Sequence, residues 1–148
     1  MNNTDAHNTS RIDQCIMIEL GKHHHENGNL TVVENGKPIP FDLERVFYIY
    51  DVPGGEERGG HSHKALQQII VAISGAFDVL LDDGVNQHSV TLNRPYQGLL
   101  VAPGIWSKQY NFSSGAVCLV LASAHFDESD YVRDYNEFKK LTSSKVLE

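Results

Sequence analysis

Cysteine, tryptophan and long apolar runs are all scarce in this chain. Its 148 residues contain two cysteines, Cys15 and Cys118, and one tryptophan, Trp106. Two thiols so far apart exclude a disulfide framework or a cysteine-rich zinc site; reduced thiols in a cytoplasmic protein are the expectation. No apolar stretch approaches the roughly 20 residues of a membrane-spanning helix. The polar start MNNTDAHNTS has neither the basic nor the apolar region of a signal peptide. Basic residues are also few: 12 Lys and Arg against 19 Asp and Glu leave a formal net charge of -7. That excludes nonspecific binding of nucleic acid, which needs a basic face. A phosphorylated small molecule stays within reach, because a few local arginines can hold one.

What is present is a series of short apolar or alternating runs: 15–20, 30–34, 45–51, 68–74, 77–82, 88–92, 98–102 and 117–123. Turn residues separate them at Asn35-Gly36, Pro53-Gly54-Gly55, Ser74-Gly75, Asp82-Asp83-Gly84 and Pro103-Gly104. Such spacing predicts an antiparallel sandwich or barrel, with Phe77–Leu81 and the following Asp-Asp-Gly as one hairpin arm. Only the end reads as a helix, over about 128–141. There Tyr131, Tyr135 and Phe138 recur at i, i+4 and i+7, as a stripe that packs on the barrel. The expectation is one all-β domain over 1–148, a barrel over about 12–124 and that short C-terminal helix. His23-His24-His25, before Glu26-Asn27-Gly28, reads as a solvated turn rather than a metal site.

Most of the chemistry lies in Gly55-Glu56-Glu57-Arg58-Gly59-Gly60-His61-Ser62-His63. Histidines at i and i+2 on a strand point the same way, so both imidazoles converge on one pocket. With Gln68 and Gly75 downstream, the spacing follows the first motif of the cupin β-barrels, a jelly-roll fold. A metal cupin adds an acidic residue where this chain has Gln68, and a third histidine shortly after Pro103-Gly104. The segment Ile105-Trp106-Ser107-Lys108-Gln109-Tyr110-Asn111 has none. Two of four ligands are missing, and Lys108 disfavours a cation, so no metal and no other cofactor is expected.

Paired imidazoles without a metal suit proton transfer near neutral pH. A base beside a bound ketone can take an acidic α-hydrogen, and an acid can protonate the neighbouring carbon of the enediol, which moves the carbonyl. Arg58 suits a phosphate or an enolate oxygen; an ion pair with Glu56 or Glu57 is equally compatible with its spacing. Tyr48 and Tyr50 share one strand face and either place a phenol in the pocket or fill the core. Trp106 and Tyr110 either stack on a nucleobase or pack.

Three strings carry a narrower resemblance: Phe47-Tyr48-Ile49-Tyr50-Asp51, Glu56 through Lys64, and Leu121-Ala122-Ser123 through Asp127 to Tyr135. From about Leu30 to Lys140 the chain resembles the sugar-nucleotide 3,4-ketoisomerases, the WxcM-like cupins that act on dTDP-4-keto-6-deoxyglucose. Ser62 stands where family members usually carry alanine, and the loop Val52-Pro53-Gly54-Gly55 is longer than is common. The resemblance implies metal-independent isomerisation of a dTDP-linked 4-keto-6-deoxyhexose to a 3-keto sugar. It also implies a homodimer that exchanges N-terminal strands, and a place in deoxyamino-sugar biosynthesis for a lipopolysaccharide O-antigen or an S-layer glycan. Carried onto this chain, the site comprises His63 as the base at C3, His61 as a proton relay, and Tyr48 on a sugar oxygen. Arg58 would bind sugar or diphosphate, with Tyr50, Gln68, Trp106 and Lys108 as further substrate-binding candidates.

Competing readings are a metal-dependent cupin oxygenase or phosphomannose-type isomerase, a dTDP-sugar 3,5-epimerase, and a non-catalytic small-molecule-binding cupin. The missing ligands count against the first, and the paired histidines beside Arg58 count against the last.

Overall fold

A computed structural model describes residues 11–147, so the polar start MNNTDAHNTS lies outside the described residues. The strands are β1 (Met17–Glu19), β2 (His23–His25), β3 (Gly28–Leu30), β4 (Arg45–Ile49), β5 (Arg58–His63) and β6 (Gln68–Ser74). They continue with β7 (Phe77–Asp82), β8 (Gln87–Leu92), β9 (Gln97–Val101), β10 (Trp106–Tyr110), β11 (Val117–Ala122) and β12 (Tyr131–Val132), and one helix, α1 (Tyr135–Leu147), closes the chain. Sheet one has the order β1-β9-β6-β11-β4 and sheet two the order β12-β5-β10-β7-β8; β2 and β3 form a separate hairpin. This is the all-β cupin architecture with a C-terminal helix that the strand pattern predicts.

Period-two alternation builds the core between the sheets. Ile70, Leu99, Cys118 and Val120 of sheet one meet Phe77, Val79, Leu81 and Leu92 of sheet two. The fully buried side chains among them contribute about 1.5–3 kcal/mol each. The outer face of sheet one carries Ile18, Ile69, Val71 and Leu121, which cluster with Leu20 and Ile39. The outer face of sheet two is covered by α1, whose Phe138 packs on Trp106 and Val132. Among the described residues no helix is long and apolar enough to cross a membrane.

The β7–β8 hairpin follows from its turn chemistry. Asp82 Oδ1 accepts from Gly84 N at 2.7 Å, and Asp83 Oδ1 accepts from Val85 N and Asn86 N at 2.8 and 2.7 Å. Gly84 sits at φ +93°, and a Cβ there would run into Thr142 of α1.

Four local expectations change. The run 30–34 is not a strand; only Leu30 belongs to one, β3. His23-His24-His25 is a fully exposed hairpin arm rather than a turn, with His24 Nδ1 2.7 Å from Asn29 Oδ1. β10 is an added strand whose inward positions, Ser107 and Gln109, are polar and hide the apolar alternation. The helix begins at Tyr135, not near 128. Residues Glu128–Asp130 form a 3-10 turn, and Tyr131–Val132 form a strand paired to β5. Tyr131 therefore leaves the helical stripe and lands beside the histidines.

Candidate active site

β5 is central to the site because it is paired on both sides. Ser107 of β10 lies opposite His61, while Tyr131 and Val132 of β12 lie opposite His63 and Ser62. The register shifts between Ser107 and Lys108, where Gly59 takes φ +88° and Gly60 φ +80°. A Cβ on Gly59 would stand 3.1 Å from Lys108 Cα and 3.2 Å from Ser107 O. Glycine there lets the strand bulge and still pair.

The alternation sends His61 and His63 into the barrel and Ser62 outward. Their ring centroids are 4.9 Å apart at 88°, and Tyr131 lies against both, at 4.9 Å from His61 and 4.3 Å from His63. The expected convergence of the pair is present, with a phenol beside it.

The two imidazoles differ in their partners. His63 Nδ1 donates to Asp130 Oδ2 at 3.2 Å. That carboxylate is anchored by Ala65 N on Oδ1 at 2.8 Å and Leu66 N on Oδ2 at 3.3 Å. An ionised carboxylate only accepts, so Nδ1 carries the proton and Nε2 keeps its lone pair. Burial pushes His63 below its ordinary pKa, while the hydrogen bond and charge of Asp130 oppose the shift. His61 has no such support: its Nδ1 is buried without a hydrogen-bond partner. Burial, then the neighbouring His63 and Arg133, lower its pKa from 6.5 to about 4. At neutral pH both rings are uncharged, and His63 has a hydrogen-bonded carboxylate to stabilise a captured proton, whereas Glu128 acts on His61 only through space.

Two adjoining cavities open on the pair, with Tyr131 in the wall of each. The larger, about 520 Å³, is lined by Phe47, Arg58, His61, Gln68, Gln109 and Arg133, among others. The smaller, about 300 Å³, contains Arg45, His63, Ser123, Asp127 and Asp130. Arg133 lies with its guanidinium carbon 4.2 Å from the Tyr131 ring centroid, held by a two-point pair with Glu128 at 2.6 and 2.9 Å.

Five of the sequence candidates, His61, His63, Arg58, Gln68 and Tyr48, line these cavities. Tyr48 borders the larger one, but its position opposite Leu119 puts its ring on the outer face of sheet one, 62% exposed. Tyr50 shares that outer face, 5.8 Å from Tyr48. The inward position of β4 next to Tyr48 is Phe47, which offers no hydroxyl. Trp106 points to the other side of sheet two and packs on Tyr135 and Phe138. Lys108 does not line either cavity; its Nζ pairs with Glu57 at 3.1 Å, which takes the carboxylate that the spacing of Arg58 allowed it. Tyr50, Trp106 and Lys108 are thus not brought to the histidines.

Sequence reading missed Asp130, Tyr131, Arg133, Arg45 and Gln109. Asp130, Tyr131 and Arg133 fall in a string that carries the resemblance, but the strand that docks them, Tyr131–Val132, is two residues long and too short to show alternation. Among the described residues no group of three or more His, Cys, Asp or Glu side chains could hold a metal ion. The donor set around His61 and His63, with the amide of Gln68 where an acidic ligand would stand, does not fit a cupin metal.

Comparison with known proteins agrees with this geometry. The chain matches the family model described as FdtA: WxcM-like, C-terminal, over residues 13–143. It is 46% identical over 121 residues to the TDP-4-oxo-6-deoxy-alpha-D-glucose-3,4-oxoisomerase of Aneurinibacillus thermoaerophilus, covering 82% of this chain and 87% of that one. A solved 3,4-ketoisomerase from Helicobacter canadensis superposes with a TM-score of 0.85 at 39% identity, over 87% of this chain and 97% of the other. A mutant 3,4-ketoisomerase from Thermoanaerobacterium thermosaccharolyticum, solved with TDP-4-keto-6-deoxyglucose, superposes at 0.87 with 34% identity, over 90% and 97%. The family match and these relatives, joined to a barrel with an inward histidine pair, place the chain in the FdtA, WxcM-like family of sugar-nucleotide 3,4-ketoisomerases.

Proposed function

We propose that this enzyme converts dTDP-4-keto-6-deoxyglucose to a dTDP-3-keto-6-deoxyhexose by proton transfer through an enediol, with no metal or cofactor. The observation that carries the reading is the asymmetric histidine pair, one ring backed by Asp130 and the other unpartnered. His63 Nε2 takes the proton from C3. The C3–H electrons form a C3=C4 bond, and the C4 carbonyl becomes an enediolate oxygen. The proton taken by His63 returns to C4, with His61 relaying it, and the C3 hydroxyl proton passes to the C4 oxygen, which leaves the carbonyl at C3 and a hydroxyl at C4. C3 is oxidised and C4 reduced within one molecule, so no external redox partner enters. General acid–base help of this kind is worth about 10²–10⁴ in rate. Arg58 and Arg133, in the larger cavity, would meet the diphosphate, and Gln68 a sugar hydroxyl.

Exposed Val46, Tyr48, Tyr50 and Ile73 support a homodimer, for which an exchange of N-terminal strands is the expected form. A sequence with only two cysteines suits reduced thiols and a cytoplasmic setting. The product would feed deoxyamino-sugar synthesis for an O-antigen or S-layer glycan.

NMR of the product made from dTDP-4-keto-6-deoxyglucose tests the reading. A 3-keto sugar is expected; inversion at C3 and C5 with the carbonyl still at C4 would make the protein an epimerase. TDP binding without turnover would leave only a binding module. His63→Asn should abolish turnover while keeping TDP binding, and near-normal turnover would remove His63 from the base role.

A further inference from the structure

Among the described residues, Arg45 is the one arginine placed inside the barrel on sheet one. Its register partner on β11 is Ala122, which in turn pairs with Gln68, so these inward positions form one row across the sheet. The guanidinium is held over the rings of Phe47 and Phe126, at 5.1 and 5.7 Å. Its Nε is buried and has no acceptor. The side chain lines the smaller cavity with His63, Asp130 and Tyr131.

The nearby carboxylates are engaged elsewhere. Asp130 receives His63 and two backbone N–H groups. Asp127 Oδ1 accepts from Ser129 N and Oγ at 3.0 and 2.7 Å. Glu44, next in sequence, lies 3.5 Å from His125 Nε2. A fixed cation with a buried donor left unpaired is destabilising, and such a group calls for an explanation beyond packing.

Charge decides what it serves. Asp127 and Asp130 stand against the single arginine in this small cavity, which disfavours a diphosphate there. The larger cavity has Arg58 and Arg133, with Glu57 and Glu128 already paired to Lys108 and Arg133. A neutral keto-hexose fits about 300 Å³ and becomes anionic only after the base acts.

Resting on the ketoisomerase reading above, we propose that Arg45 is a catalytic residue whose guanidinium binds the C4 oxygen of the hexose and stabilises the enediolate formed when His63 removes the C3 proton. A preorganised donor aimed at developing charge acts mainly on the transition state, so its loss lowers kcat more than it weakens binding. The positive charge of Arg45 also helps to keep His63 unprotonated, and so ready to act as a base.

The test uses full-length protein, TDP-4-keto-6-deoxyglucose as substrate and TDP as binding probe. In Arg45→Met, kcat should fall about 10²–10³-fold, with the Kd for TDP within about threefold of wild type. Arg45→Lys keeps the charge but not the fork and should fall about tenfold. A folded Arg45→Met with kcat within about threefold overturns the proposal. So does a loss confined to TDP affinity, which would assign Arg45 to the diphosphate. If Arg45→Met does not fold, Arg45→Lys decides by the same split: a tenfold fall in kcat at unchanged TDP affinity supports the role, and unchanged kcat overturns it. Absence of turnover in the wild type would instead sink the ketoisomerase reading, and this proposal with it.

Discussion

Acidification should destabilise this protein through His61. Its folded pKa is about 4 against an ordinary 6.5, chiefly because the ring is buried, with His63 and Arg133 adding to the shift. The unfolded chain therefore binds a proton between these values that the folded chain refuses. Stability from the neutral ring is complete above about pH 6.5 and is lost as pH falls towards 4. At about 1.4 kcal/mol per pKa unit, the two values imply a loss of about 2 kcal/mol between pH 8 and pH 5 from this residue alone. His63, also lowered by burial, adds to it in the same direction. The comparison to make is wild type against His61→Gln, by urea unfolding at fixed protein concentration at pH 8 and pH 5. Glutamine keeps a polar side chain of similar length and does not titrate. The variant should lose about 2 kcal/mol less than wild type over this interval, while other titrating groups cancel to first order. Equal losses in the two proteins, within about 0.5 kcal/mol, would refute the claim that His61 is held neutral by burial.

Two further outcomes follow from other contacts. Asp130→Asn should lower kcat by about 10²–10⁴, because an amide can donate to Nδ1 and so trap the tautomer whose Nε2 carries the proton. Any residual kcat/KM should show its acidic limb at lower pH, since Asp130 raises the His63 pKa; a pH–rate profile identical to wild type would reduce Asp130 to a structural role. Gly59→Ala should cost about 1–3 kcal/mol, because it combines φ +88° with a Cβ 3.1 Å from Lys108 Cα; a thermal midpoint equal to wild type would show that the bulge can relax.

Local patterns determined much of this protein. Period-two alternation between turn residues was enough to predict an all-β barrel. The spacing of His61 and His63 was enough to predict that both rings share its interior, because i and i+2 on a strand cannot do otherwise. Gln68 and the histidine-free stretch after Pro103-Gly104 were enough to argue against a metal ligand set. What lies opposite the pair was decided by strand register over long separations. Asp130 is 67 residues from His63 in sequence, and it meets the ring only because a 3-10 turn and two residues of β12 dock on β5. The same docking moves Tyr131 out of a helical stripe and against both rings. A one-residue alternation on β4 turns Tyr48 outward and Arg45 inward, a choice made by the pairing of Tyr48 with Leu119 and of Arg45 with Ala122. The His-x-His motif therefore specified the chemistry available, a pair of proton carriers. The tertiary structure specified the division of labour, because only packing decides which ring has a carboxylate behind it and which is simply desolvated.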